Sequence, residues 1–356
     1  MKRFAVLVAL AITISLLGCQ QKPQKSEIII YGSGATFPLP QIEKWIDDYE
    51  KLHPNVKIEY EGKGSGAGQN DFEKGLVDFA GTDPPVSENL WKKLESRGQP
   101  LQFPEIVGAV VVVYNVPGVD NLKLDGETLA KIFMGDIEYW DDQAIRALNP
   151  NAKLPHEKII VVHRADSSGT TQIFTTYLCL VSKDFEKRVG SGKIVDWPVD
   201  KMGRGLGGKG NTGVVEILKS TKYSIAYTEL AYALRENLKM VALKNRAGNF
   251  VMANETTIKS AVKAVKAKIP PPDQGYRENL RELLNAEGKD SYPIVAFSHI
   301  LIWKSYPKEK AKAIRDFFTW VLTEGQKREH IVEGYVGLPK EVAEIGLNAV
   351  KSIEEK

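Results

Sequence analysis

Four times along this chain a strand-like run ends in a turn of glycine and small hydroxyl residues, and a helical pattern follows at once. The turns are Gly34-Ala35-Thr36-Phe37-Pro38, Gly64-Ser65-Gly66, Gly81-Thr82-Asp83-Pro84-Pro85 and the segment from Arg164 through Thr171. Strands alternating with helices leave few packing solutions. They predict an α/β fold with a largely parallel sheet and helices on both faces. Strand-like runs fall at 27–31, 56–60, 105–114, 158–163, 223–227 and 294–303. Helical patterns fall at 39–51, 68–76, 87–97, 126–133, 141–147, from 169 onward, at 254–267 and at 307–323, before a last helical stretch and a polar tail. Two segments read as loops: 203–213, with six glycines, and 268–275, with three consecutive prolines. The glycines from Gly207 to Gly210 do not have the spacing of a nucleotide P-loop.

The first residues are not part of that pattern. Met-Lys-Arg followed by an apolar run from Phe4 to Leu17 has the form of a secretory signal (residues 1–18), too short to span a bilayer comfortably. It ends in Leu16-Leu17-Gly18-Cys19, which looks like a lipoprotein box with Cys19 as the lipid acceptor; the alternative is an ordinary signal cut before a chance cysteine. The polar segment 19–26 then reads as a tether, and folding should begin near Glu27. About 330 residues remain, more than one core usually serves, so two domains are expected. With Cys19 acylated, Cys179 has no partner and should be a buried free thiol among Tyr177, Leu178, Leu180 and Val181.

Charge excludes some functions. The formal net charge of +3 falls to +1 without Lys2 and Arg3, and 45 acidic and 48 basic residues are well mixed, unlike the basic footprint of a nucleic-acid binder. Five scattered histidines have no metal-ligand spacing, and nothing calls for a cofactor. The run Ile106 to Tyr114 fits a buried strand rather than a membrane span.

The chemistry points to an anion. A strand-to-helix turn offers unpaired backbone N–H groups at a helix start, glycine allows close approach, and Ser or Thr adds a donor. Any one such turn, taken alone, reads more readily as a plain N-cap; the coincidence of four points to a ligand site at the carboxyl ends of the strands. Arg164 could give an oxyanion two parallel hydrogen bonds with Asp166 clamping its guanidinium, or form only a surface ion pair. His163 should point the other way and is read as structural. Asp83 is the discriminating residue: a carboxylate among anion donors can accept from the O–H of phosphate, whereas sulfate near neutral pH has no proton to offer. It could also simply cap a turn before Pro84-Pro85.

With these motifs in order, together with Tyr60 through Gly66, Val77-Asp78-Phe79, Gln102-Phe103-Pro104, Lys131 through Trp140 and Gly205 through Asn211, the chain resembles the phosphate-binding proteins of bacterial and archaeal phosphate ABC transporters. The resemblance implies a two-lobed, hinged periplasmic-binding-protein fold with the ligand in the interlobe cleft. Lobe one would be 27–107 plus 295–356, and lobe two 108–294. It implies Thr36, Phe37 through its backbone N–H, Ser65, Asp83, Arg164, Ser168, Gly169 and Thr170 as phosphate ligands, with Asp166 orienting Arg164. Its partners would be inorganic phosphate, membrane permease subunits and, through Cys19, the membrane. The protein would be an extracytoplasmic or periplasmic monomer that performs no covalent chemistry. Ser167 where many members have glycine, Pro85 after Pro84, and His163 for a second arginine are departures. Rival readings are a sulfate or molybdate binder, a phosphatase with Ser168 as nucleophile, and a surface adhesin or sensor; no Gly-x-Ser-x-Gly elbow or His-Glu-x-x-His pair supports the hydrolase.

Overall fold

The computed structural model describes residues 27–265, 269–275, 281 and 283–356. The signal, Cys19 and the tether therefore lie outside the described residues, as do 266–268 between the lysine-rich helix and the proline loop.

A nine-stranded sheet runs through the molecule. On one side Ile28–Gly34 lies between Val56–Gly62 and Phe79–Thr82, parallel to both. On the other, Ile160–Arg164 lies between Gly205–Gly208 and Ser224–Glu229, again in parallel. Two antiparallel strands join the halves: Val295–Trp303 pairs with Phe79–Thr82 and with Pro100–Asn115. The sheet is thus mixed rather than largely parallel, because the chain passes from one half to the other through the long strand Pro100–Asn115. That strand changes partner between Ala109, paired with Val295, and Val110, paired with Glu229. Its Val110–Val113 stretch, β-branched and buried on both faces, suits a strand covered on two sides.

The helices bury apolar stripes at the spacing the sequence predicts. In Leu39–Leu52 the buried residues are Gln41, Ile42, Trp45 and Tyr49, with Tyr49 edge-on to Phe317 of Lys308–Leu322 at 5.1 Å. Each large apolar side chain so buried stabilises the fold by about 1.5–3 kcal/mol. Asn254 caps the start of Glu255–Ala264 and Val265 is already extended, so the lysine-rich helix ends earlier than expected, and Ser65–Lys74 starts three residues before the expected 68. Cys179 is buried and free.

The expected loop at 203–213 is instead the strand Gly205–Gly208 followed by the helix Gly210–Ser220. Glycine permits this packing: a Cβ on Gly208 would lie 2.6 Å from the backbone nitrogen of Val214, so only a bare backbone brings strand and helix this close. The segment 269–275 is free of helix and strand, as read from its prolines, and Pro272 O accepts from the backbone N–H of Gln102. Among the described residues no helix is long and apolar enough to cross a membrane, and no cluster of His, Cys, Asp and Glu could hold a metal ion.

Candidate anion-binding site

The four strand-to-helix turns meet where the two parallel halves of the sheet face each other. Gly34 ends the first strand and Pro38 opens Leu39–Leu52, which holds Thr36 and Phe37 in a buried turn. Thr36 O accepts from the Tyr232 hydroxyl and Phe37 O from the Tyr335 hydroxyl, both at 2.5 Å, so both carbonyls of the turn are tied back. Ser65 is the first residue of its helix, and Asp83 follows Phe79–Thr82. Ser65 Oγ sits 3.2 Å from both Asp83 Oδ2 and the Asp83 backbone nitrogen.

The opposite wall is the turn after Ile160–Arg164. Arg164 Nε and Nη2 donate to the two Asp166 carboxylate oxygens at 2.7 and 2.5 Å, and Nη1 donates to Thr170 Oγ1 at 3.3 Å. The Arg164 side chain is 1% exposed, so this is a buried fork and not a surface pair. Burial pushes the Asp166 carboxyl up, but the Arg164 bonds and charge, with the Gly210 N–H, more than offset it and hold it below the usual range. Ser168 Oγ caps the helix Gly169–Val181 by accepting from Thr171 N at 3.0 Å. The plain-cap reading of Ser168 is thus satisfied while its hydroxyl hydrogen stays available.

The walls touch. A Cβ on Gly169 would come within 2.3 Å of both Asp83 Oδ2 and Ser65 Oγ, so glycine lets this helix start close on the facing turn. Gly66 N donates to Ser167 O at 3.0 Å, and Lys193 Nζ bonds Gln69 Oε1. Asn211 Nδ2 links Thr36 Oγ1 at 3.0 Å to Thr170 Oγ1 at 3.4 Å. The turns that carry Thr36, Phe37, Ser65, Asp83, Arg164, Asp166, Ser168, Gly169 and Thr170 therefore lie together. Among their backbone and hydroxyl donors stands the Asp83 carboxyl, 1% exposed and, unlike that of Asp166, not clamped to Arg164. Burial pushes its carboxyl up to about 7, with Arg164, Ser298 and Ser65 pulling the other way.

Comparison with known proteins decides the family. The PBP superfamily domain matches residues 21–324. The chain is 60% identical to a phosphate-binding protein PstS of Methanocaldococcus jannaschii, over 96% of this chain and 92% of that one. It is 42% identical to a PstS of Pasteurella multocida, over 88% of this chain and 87% of that one. The chain belongs to the PstS phosphate-binding protein family. In fold it is similar to a periplasmic phosphate-binding protein, PfluDING, solved with phosphate: the TM-score is 0.71 at 22% identity, covering 92% of this chain and all of that one. The two-lobed α/β architecture is shared.

Beside the residues foreseen, the fold brings in others that the sequence did not single out. Asn211 is the second residue of the helix Gly210–Ser220, and its Oδ1 accepts from Thr228 Oγ1 at 3.1 Å and Glu229 N at 3.3 Å. The Tyr227 hydroxyl lies 2.6 Å from Thr171 Oγ1 and accepts from Arg164 N at 3.2 Å. Ser298 Oγ lies 3.2 Å from Asp83 Oδ1, on a strand more than two hundred residues away. Only Asn211 had a sequence signal, its place in a glycine motif. His163 is turned out of the site, with Nε2 against Asp200 and Nδ1 on the Arg164 carbonyl, as a structural residue would be.

Proposed function

We propose that this PstS-family chain binds inorganic phosphate between its lobes, outside the cytoplasm, and delivers it to the permease of an ABC-type importer. The observation that carries this is the acceptor among donors: Asp83 faces Gly169 and Ser65 with Arg164 opposite, an arrangement that suits an oxyanion bearing a proton. The ligands in this reading are Thr36, the Phe37 backbone N–H, Ser65, Asp83, Arg164, Ser168, Gly169 and Thr170, and Asp166 fixes the Arg164 fork. The lobes are 27–107 plus 295–356, and 108–294. Closure of one on the other excludes water and strengthens each of these bonds. Cys19 carries the lipid that tethers the protein to the membrane, and a monomer suffices. No bond in the ligand is made or broken.

The test is calorimetric titration of residues 27–356, stripped of ligand, with phosphate and then sulfate near neutral pH. The reading expects phosphate to bind, sulfate to give no response, and Arg164→Ala to weaken phosphate roughly 10²–10⁴-fold, because two charge-assisted bonds of about 1.5–3 kcal/mol each are lost. Equal affinity for both anions would reject it.

A further inference from the structure

Glu105 is a buried carboxyl that the ligand set above does not use. It lies on the long strand, 1% exposed, where the pairing slips: Ser298 is opposite Ile106 and His299 is opposite Pro104, so Glu105 is the extra residue of a bulge. Bulges re-aim side chains. Here Glu105 O accepts from Gln326 Nε2 at 3.0 Å, and the carboxyl Oε1 lies 3.1 Å from Ser298 Oγ. The same Ser298 Oγ lies 3.2 Å from Asp83 Oδ1. Two carboxyls thus share one hydroxyl, and a hydroxyl has one hydrogen to give. If it goes to Asp83, the other contact exists only if Glu105 donates.

We infer that Glu105 is a positioning residue: it keeps its proton, donates it to Ser298 Oγ, and so directs the Ser298 hydroxyl at Asp83, holding Asp83 as the ionised acceptor that meets the phosphate O–H. The inference rests on the phosphate reading above. Its alternative is electrostatically poor, since two carboxylates in one buried site repel and would drive the proton onto Asp83, where the acceptor is lost. Burial, and then the Asp83 charge, push Glu105 up to about 8 against the Ser298 bond. Burial disfavours the charged form of three further titratable groups around the pair. Tyr60, whose hydroxyl donates to Ala35 O, is raised well above its ordinary value by burial, with Glu105 and Asp83 adding to it. His299, with Nδ1 on Asp83 O, is lowered to about 4 by burial. Glu229, which Asp83 also pushes up, is raised well above its ordinary value, chiefly by its complete burial. Arg164 acts on Asp83 from the facing wall.

A phosphate anion arriving beside Asp83 binds best while Glu105 is neutral, and it loses affinity as Glu105 ionises. The test is phosphate titration by calorimetry at pH 7.5 and 9.5, a range in which inorganic phosphate always keeps at least one proton. Wild-type affinity should fall about tenfold across that range, within the linkage limit of tenfold per pH unit. In Glu105→Gln, whose amide still donates to Ser298 but cannot ionise, affinity at pH 7.5 should be retained and the alkaline fall absent. Glu105→Ala, with no donor, should bind about tenfold more weakly at pH 7.5. An infrared difference spectrum, wild type minus Glu105→Gln, should show a protonated-carboxyl band at pH 7.5 that fades at alkaline pH, whatever the folding of the alanine variant. An alkaline fall unchanged in Glu105→Gln, or no such band, overturns the inference. A wild type that takes up no phosphate at pH 7.5 overturns the phosphate reading instead, and the infrared band still decides where the proton is.

Discussion

Asp83→Asn isolates the selectivity of the site. The substitution is nearly isosteric, and the neighbours that hold the group, Ser65 Oγ and Ser298 Oγ at 3.2 Å each, can bond an amide. The carboxylate repels any anion, by about 4 kcal/mol per unit-charge pair at 4 Å and an effective dielectric constant of 20. Phosphate and sulfate both escape that repulsion in the variant, so it cancels from their ratio. Two terms do not cancel. Phosphate loses a hydrogen bond to a charged acceptor, about 1.5–3 kcal/mol, and sulfate no longer leaves a buried acceptor unpaired, a penalty of about 1–3 kcal/mol. Their sum, about 2.5–6 kcal/mol, corresponds to roughly 10²–10⁴ in selectivity. An amide can donate to sulfate or accept from phosphate, so the variant should bind both anions within about tenfold of each other. Paired titrations at pH 7.5 read this directly. A ratio unchanged from wild type, or a variant that loses phosphate yet stays silent to sulfate, would refute the reasoning.

Two further outcomes follow from the same geometry. Gly169→Ala places a methyl where Asp83 Oδ2 and Ser65 Oγ stand at 2.3 Å, so it should hold the lobes apart; phosphate affinity should fall at least about a hundredfold, as a displacement of even 1 Å can cost, and small-angle scattering should show no compaction on adding phosphate. The second concerns pH and the unliganded protein. Asp83 and Glu105, raised to about 7 and about 8, hold protons that the unfolded chain releases, so their contribution to stability is full below pH about 4 and is lost as pH rises through 7 to 8. Glu229, also raised, acts in the same direction, whereas His299, lowered to about 4, contributes stability that is lost as pH falls from about 6.5. Three groups against one predict that thermal unfolding occurs at a higher temperature at pH 5 than at pH 8.5, and that Glu105→Gln flattens the difference; a rising trend with pH would contradict it.

What could be read from the sequence was local. Each strand-to-helix turn carries its glycine, hydroxyl and cap within a few residues, so Thr36, Ser65, Asp83 and the Arg164–Thr170 segment were visible without a structure. The Arg164–Asp166 clamp is also local, two residues apart on one turn. The glycine-rich segment misled because glycine in a strand breaks the usual β pattern; its parallel pairing of Gly205–Gly208 with Val161–Arg164 depends on a neighbour forty residues earlier. Glu105 and Ser298 stayed hidden for a stronger reason. They meet only because two antiparallel strands join the halves of the sheet, and a bulge, which leaves no mark in composition, turns Glu105 toward Ser298. Their protonation follows from burial, and burial is a property of the assembled fold.

A crystal structure of the protein grown with phosphate would show whether a protonated oxyanion sits between these turns with Asp83 as its acceptor. One phosphate should be held by Arg164, Thr36, the Phe37 N–H, Ser65 and the Ser168–Thr170 turn, with one phosphate oxygen within hydrogen-bond distance of an Asp83 carboxylate oxygen. Phosphate bound elsewhere, or bound here with Asp83 turned away from every ligand oxygen, would contradict it.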